Sequence, residues 1–109
     1  MDIWKKGIAL VKEVYKVTEK FPATEVYGLT SQMRRSSVSV PSNVAEGFRR
    51  KYPREFRQFL SVALGSLAEL ETQIIIAYEL RYLDATSQDL LLEYADHISR
   101  MISNLLKKL

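Results

Sequence analysis

From Phe56 the apolar residues Phe56, Leu60, Ala63, Leu67, Leu70, Ile74 and Ala77 recur at alternating steps of four and three. That period keeps all seven on one side of an α-helix. A strand, which turns successive side chains to opposite faces, cannot reproduce it. Carried on to about Leu83, the pattern predicts a helix roughly 45 Å long at about 1.5 Å per residue. Such a helix cannot bury its seam alone. An alternating four-three seam packs against other helices at small crossing angles, so the rest of the chain has to supply them.

Three other segments do. Between Ile3 and about Lys20, Ile3, Trp4, Ile8, Val11, Val14, Tyr15 and Thr18 take one half of a helical wheel and lysines and glutamates take the other. Pro22 stops this helix, and Thr24 is placed to cap the next. From about Glu25 to Arg50, Val26, Leu29, Met33, Ser37, Val40, Val44 and Phe48 form one stripe whose phase survives Pro41. A proline there removes the hydrogen bond to the Ser37 carbonyl, which predicts a bend and leaves two readings, one kinked helix or two helices broken near Val40. Pro53 suits the first turn of the third helix. In LDATSQD, Thr86 or Ser87 is placed to cap a fourth helix, with Asp89 in its first turn; Leu91, Tyr94, Ile98, Met101 and Leu105 face inward, and Lys107 and Lys108 close the helix at its negative end. The fold expected is all-α, an up-down-up-down antiparallel four-helix bundle with a proline-kinked second helix, as one domain over residues 1–109.

Composition agrees with a small packed core: 47% of the 109 residues are hydrophobic, with 4 Gly and 3 Pro. The absence of Cys excludes disulfides, thiolate metal sites and cysteine nucleophiles and fits a cytoplasmic location. The opening MDIWKKGIALVKEVYK interleaves lysines with apolar residues, unlike a leader or a membrane span, and no membrane association is expected. The net charge of +3 is unevenly spread: residues 1–57 hold 12 Lys+Arg against 6 Asp+Glu, and residues 58–109 hold 4 against 7. The densest basic run is RRKYPREFR, where Arg49, Arg50, Lys51, Arg54 and Arg57 are the candidate contacts to a phosphate backbone, with Tyr52 available to stack on a base. The alternative for the same run is a solvated turn between helices.

The third helix carries one apolar face too many. Val62, Gly65, Ile76 and Leu80, with Leu83 beyond them and Glu69 and Gln73 in the gap, form a second stripe where a monomeric bundle would be polar. On the second helix Val38, Pro41 and Ala45 also lie off the core stripe. These positions are expected to bury against a neighbouring subunit, with Val38, Ala45, Val62, Gly65, Glu69, Gln73, Ile76 and Leu80 at the contact.

Catalytic chemistry is hard to assemble from these residues. His97, the only histidine, pairs with Glu93 as E-x-x-x-H, whereas a di-metal bundle needs a Glu-x-x-His motif from each of two helices. Ser36, Ser37, Ser39 and Ser42 have no histidine nearby in sequence, and no phosphate-binding glycine loop is present. No catalytic residue, metal or cofactor is expected. Glu46 is placed to pair with Arg50, or with Arg35 or Arg49. Arg34 and Arg35 are either a basic patch or partners for acids such as Glu69 and Glu71.

YGLTSQMRRSSVSVPSNVAEGFRR followed by FRQFLSVALGSLAELETQI resembles the four-helix bundle family of 23S rRNA intervening-sequence proteins. The resemblance falls on Gly28, Leu29, Thr30, Gln32, Arg34, Arg35, Ser39, Pro41, Asn43, Ala45, Glu46 and Gly47, then on Gly65, Ser66, Glu69 and Glu71. Ser36 and Ser37 replace the family's usual alanines, and Val40 and Val44 its isoleucines. The resemblance implies a helical protomer, a ring-like homopentamer and no enzymatic activity. Family members are encoded in sequences inserted in bacterial large-subunit ribosomal RNA genes and elsewhere in bacterial genomes. It also implies kinship in fold with the accessory protein of diversity-generating retroelements, a basic barrel that binds nucleic acid and a reverse transcriptase. Two functions follow as expectations: a nucleic-acid-binding accessory protein contacting RNA or DNA, or a scaffold for a partner enzyme without nucleic-acid binding.

Overall fold

A computed structural model describes residues 1–109. It contains four α-helices and no strand: α1 (Asp2–Thr18), α2 (Leu29–Phe48), α3 (Pro53–Glu79) and α4 (Ala85–Lys108), with a 3-10 turn over Ala23–Glu25 before α2. Each helix packs on its neighbours in the chain, and α1 closes the square by packing on α4; the diagonal pairs do not meet. The molecule measures 43 × 24 × 19 Å, so its long axis is that of α3.

The α3 seam is the core as expected. Leu60, Ala63, Leu67, Leu70, Ile74 and Ala77 are fully buried, against Met33, Val40 and Val44 of α2 and Leu91, Ile98 and Ile102 of α4. In α2 the central part of the stripe is buried, while its ends, Val26 and Phe48, are exposed. The helix runs unbroken through Pro41, which decides for one helix over two.

Helix α1 departs from its expected wheel. Its buried positions are Ile3, Gly7, Leu10, Val14 and Thr18, whereas Trp4, Ile8 and Tyr15 are exposed. The inward stripe is rotated toward Gly7, because α1 approaches α2 where Gly7 lies against Pro41. Counting large apolar side chains overlooks a glycine that marks the contact.

The caps also differ from expectation. Helix α2 starts at Leu29, not near Glu25, and its first N–H donates to Glu25 Oε1 at 3.0 Å, so a carboxylate from the preceding turn does what Thr24 was expected to do. Asp84, not Thr86 or Ser87, caps α4 by accepting the Ser87 N–H at 2.8 Å. Helix α3 ends at Glu79, short of Leu83. The Arg81 N–H bonds to the Tyr78 carbonyl and the Tyr82 N–H to Ala77, both at 2.9 Å, with Arg81 in the left-handed region at φ 64°.

Candidate functional site

The turn between α2 and α3 carries Arg49, Arg50, Lys51, Arg54 and Arg57, all exposed. Pro53 begins α3 directly after it, so the basic residues sit at the very end of the bundle. Arg50 donates to Glu46 at 2.7 Å and lies over the Phe59 ring, 4.9 Å from its centre. Of the partners weighed for Glu46, Arg50 is the one it takes. Lys51 lies 5.7 Å from the centre of the exposed Tyr52 ring. The chain's other ion pair, Arg100 with Asp96, is on α4, so Arg49, Lys51, Arg54 and Arg57 have no carboxylate partner.

Antiparallel topology adds charge to this end from both chain termini. The start of α1, with Lys5 and Lys6, and the end of α4, with Lys107 and Lys108, both arrive there. Counted by segment, residues 1–9, 40–66 and 101–109 hold nine of the 16 Lys+Arg and three of the 13 Asp+Glu, net +6, and the remainder is net −3; Lys6 itself lines a groove with Glu93 and His97 of α4. Sequence reasoning found the basic turn and missed the lysines of α1 and α4, because their convergence is a property of the bundle.

The expected subunit contact resolves into two separate faces. On α3 and its C-cap, Val62, Ile76 and Leu80 are 52%, 43% and 50% exposed, and a methyl group on Gly65 would meet nothing within 4 Å. Glu69 is exposed beside them, while Gln73 is buried. Val38 is not on this face. It lines a groove between α1 and α2 with Tyr15 and Val26, and Ala45, one heptad later, lies on the same side of α2. Trp4 and Ile8 extend the exposed stripe of Tyr15 along α1.

Arg34 and Arg35 part company. The Arg34 Nε donates to Thr18 Oγ1 at 2.9 Å, its guanidinium lies 4.4 Å from the centre of the Tyr15 ring, and Nη2 is 3.5 Å from the Tyr15 carbonyl. It therefore secures the negative end of α1, and is neither a free basic patch nor a partner for Glu69 or Glu71. Arg35 is exposed and has no carboxylate partner. Between α2 and α3, Ser36 donates to Glu69 at 2.8 Å and Ser39 is bonded to Ser66 at 2.8 Å. Asn43 Nδ2 donates to the Ser39 carbonyl at 2.7 Å.

The sequence model of the 23S rRNA-intervening sequence protein family matches residues 1–104. The chain belongs to that family. Among solved structures it resembles a protein of unknown function from the S23 ribosomal protein family of Bacteroides thetaiotaomicron VPI-5482, with a TM-score of 0.87, 17% identity, and coverage of 96% of this chain and 98% of that one. At that identity the likeness concerns the fold. No curated protein matches the chain.

In this member of the 23S rRNA-intervening sequence protein family, the residues that carried the resemblance have visible packing roles. A methyl group on Gly47 would lie 2.7 Å from Phe59 Cβ, so only glycine lets α2 end against α3 there. The groups whose titration is shifted lie away from the basic end. Glu25 accepts the Leu29 N–H and the Tyr82 hydroxyl, which hold its carboxyl below the usual range. The Ser87 N–H does the same for Asp84. Burial, and then nearby Asp96, push the Glu71 carboxyl up. His97 is exposed beside Glu93 in a groove that Lys6 also lines.

Proposed function

We propose that this protein is a non-catalytic accessory protein that assembles as a ring-like homo-oligomer and offers the basic ends of its protomers to RNA or DNA. The observation that carries the reading is the set of four unpaired cations, Arg49, Lys51, Arg54 and Arg57, at the end to which the chain termini add Lys107 and Lys108. Cations without protein partners are free to displace counterions from a phosphate backbone, and repeating them around a ring multiplies the contacts on one strand.

Two features support assembly. Helix α3 buries its inner seam within the bundle, yet Val62, Ile75 and Ile76 on its other sides are exposed, more apolar surface than one seam accounts for. The α3 face and the α1–α2 groove are moreover different surfaces. Contact between two unlike patches is head-to-tail, and such contacts close into rings when the rotation allows.

The test is fluorescence anisotropy of labelled structured RNA and of duplex DNA against salt. Four phosphate contacts on a duplex predict a loss of affinity of about a hundredfold between roughly 50 and 200 mM salt. The triple variant Arg49→Glu, Arg54→Glu, Arg57→Glu is expected to abolish binding. Absence of wild-type binding to both nucleic acids at low salt would sink this function and favour a scaffold for a partner protein.

A further inference from the structure

Four aromatic side chains stand among the cations of the turn between α2 and α3: Phe48, Tyr52, Phe56 and Phe59. Phe56 and Phe59 are half-buried under the end of α2, where a methyl group on Gly47 would come within 2.9 Å of the first and 2.7 Å of the second. Arg50 covers the Phe59 ring, and Phe56 meets Phe48 edge to face at 6.1 Å. Phe48 and Tyr52 have no such shelter. They are 62% and 55% exposed, although the apolar stripe of α2 predicts an inward Phe48. Exposed apolar surface rimmed by polar groups marks a binding site.

The surroundings select the ligand. Phe48 and Tyr52 bracket Arg49, Arg50 and Lys51 in the sequence, and Arg54 and Arg57 follow, with Glu55 the only acid among them. Arg49, Lys51, Arg54 and Arg57 have no carboxylate partner, so the charge around the two rings suits a polyanion better than an apolar protein surface. A duplex is such a polyanion, but an exposed ring cannot reach the faces of its bases without unstacking them. An unpaired strand offers phosphates and base faces together. Phe48 and Tyr52 are four residues apart, at most about 14 Å between Cα atoms, so one short strand can meet both.

We propose that the ligand of the basic end is a single strand, with Phe48 and Tyr52 as the platforms on which unpaired bases stack while Arg49, Lys51, Arg54 and Arg57 hold the phosphates. Lys51, 5.7 Å from the centre of the Tyr52 ring, covers it only loosely and can turn to a phosphate without giving up an ion pair. Arg54 and Arg57 border a shallow groove of about 620 Å³ with Gln58, Phe59 and Ser61, which gives the strand a path onward along α3. The shared chemistry is the unpaired nucleotide, whether of RNA or of DNA. Stacking on a ring is tolerant of sequence, so the site discriminates between paired and unpaired bases more than among the bases themselves.

The inference rests on the nucleic-acid reading proposed above and narrows it. Anisotropy at roughly 150 mM salt, where phosphate contacts are weakened and stacking is not, compares labelled oligouridine and oligothymidine of about 15 nucleotides with duplex DNA of similar length. The wild type is expected to bind at least one of the single strands about fivefold or more tighter than the duplex. Tyr52→Leu keeps the bulk and the cations but removes a ring, and is expected to cost about fivefold or more in single-strand affinity; Tyr52→Phe is expected to cost less than twofold. Adding Phe48→Leu to Tyr52→Leu is expected to deepen the loss by a similar factor. All three variants are expected to hold the duplex within twofold of wild type, which also shows them folded. A duplex bound as tightly as the better single strand, or leucine variants that bind that strand within twofold of wild type, would overturn the inference and leave the basic end a phosphate site. Leucine variants that lose both ligands alike would show the rings acting through the fold, and the inference falls in that case too. A wild type that binds no strand, single or double, even at low salt overturns the nucleic-acid reading together with it.

Discussion

A methyl group on Gly7 of α1 would lie 3.1 Å from Cβ of Pro41 in α2. The proline that interrupts the hydrogen-bond ladder of α2 is thus buried under the one residue of α1 that offers no side chain. A glycine and a proline, each unfavourable inside a helix, meet in the contact between α1 and α2. The family's helix-internal proline is in this chain a packing surface as well as a break in the ladder.

Replacing Gly7 by valine drives two methyl groups into that contact. An overpacked core position costs about 1–3 kcal/mol, and Gly7→Val is expected at the upper part of that range, because a ring held in a helix cannot rotate away. Pro41→Ala restores a backbone donor and is expected to keep the bundle folded while disturbing assembly. Thermal unfolding checks the first variant, and unfolding together with light scattering the second. A Gly7→Val protein as stable as the wild type would show that α1 is free to slide off Pro41, and an unchanged oligomer in Pro41→Ala would show the proline dispensable for assembly.

Gly47 and Gly65 are expected to respond in opposite directions. Alanine at position 47 would meet Phe59 Cβ at 2.7 Å and Phe56 Cδ1 at 2.9 Å, which forces α2 and α3 apart and lowers stability by about 1–3 kcal/mol. Alanine at Gly65 meets nothing in the protomer and gains up to about 1 kcal/mol of helix propensity. In the ring proposed above a neighbour would occupy that space, so Gly65→Ala is expected to weaken association while it raises the melting temperature of the dissociated chain. Equal effects of the two substitutions on stability would contradict the packing described.

Arg81 adopts the left-handed conformation that ends α3, a position usually given to glycine. Arg81→Gly is expected to stabilise the chain by about 0.5–1 kcal/mol, a rise in Tm of roughly 2–4 °C for a domain of this size. Calorimetry that finds a lower Tm would mean that the Arg81 side chain makes a contact outweighing the backbone strain.

Two glutamates give opposite pH dependences. The Glu25 carboxyl is held below its ordinary value of 4.5, so the folded chain binds fewer protons there than the unfolded chain; its stabilisation is present above that value and is lost as pH falls through the lowered one. The Glu71 carboxyl is raised, so its favourable contribution belongs to the protonated form and disappears as pH rises from 4.5 through the raised value. Glu25→Gln is therefore expected to destabilise at neutral pH and to matter little near pH 3. Glu71→Gln is expected to stabilise at neutral pH and to lose that advantage near pH 3. Chemical denaturation at both pH values measures the four differences, and a Glu71→Gln gain that persists in acid would contradict the assignment.

The α3 seam was legible in the sequence because seven apolar residues at alternating steps of four and three admit one arrangement. Helix α1 was legible as a helix but not in its rotation, since Trp4, Ile8 and Tyr15 outweigh Gly7 and Leu10 on a wheel and nothing local marks Gly7 as a contact. The cap of α2 escaped notice because Glu25 reaches it from a separate turn. Arg34 was undecided for a related reason: Thr18 and Tyr15 are distant in sequence and become its partners only when α1 and α2 pack. The basic turn could be read directly, whereas the full basic end required knowing that both termini return to it.

Sedimentation velocity of the protein mixed with a labelled structured RNA at low salt tests the central claim most directly, because it reads assembly and binding in one boundary. The account predicts that the protein sediments as a single species several times the 12.6 kDa of one chain and carries the RNA label with it. A protein boundary at the mass of one chain, with the RNA sedimenting on its own, would contradict it.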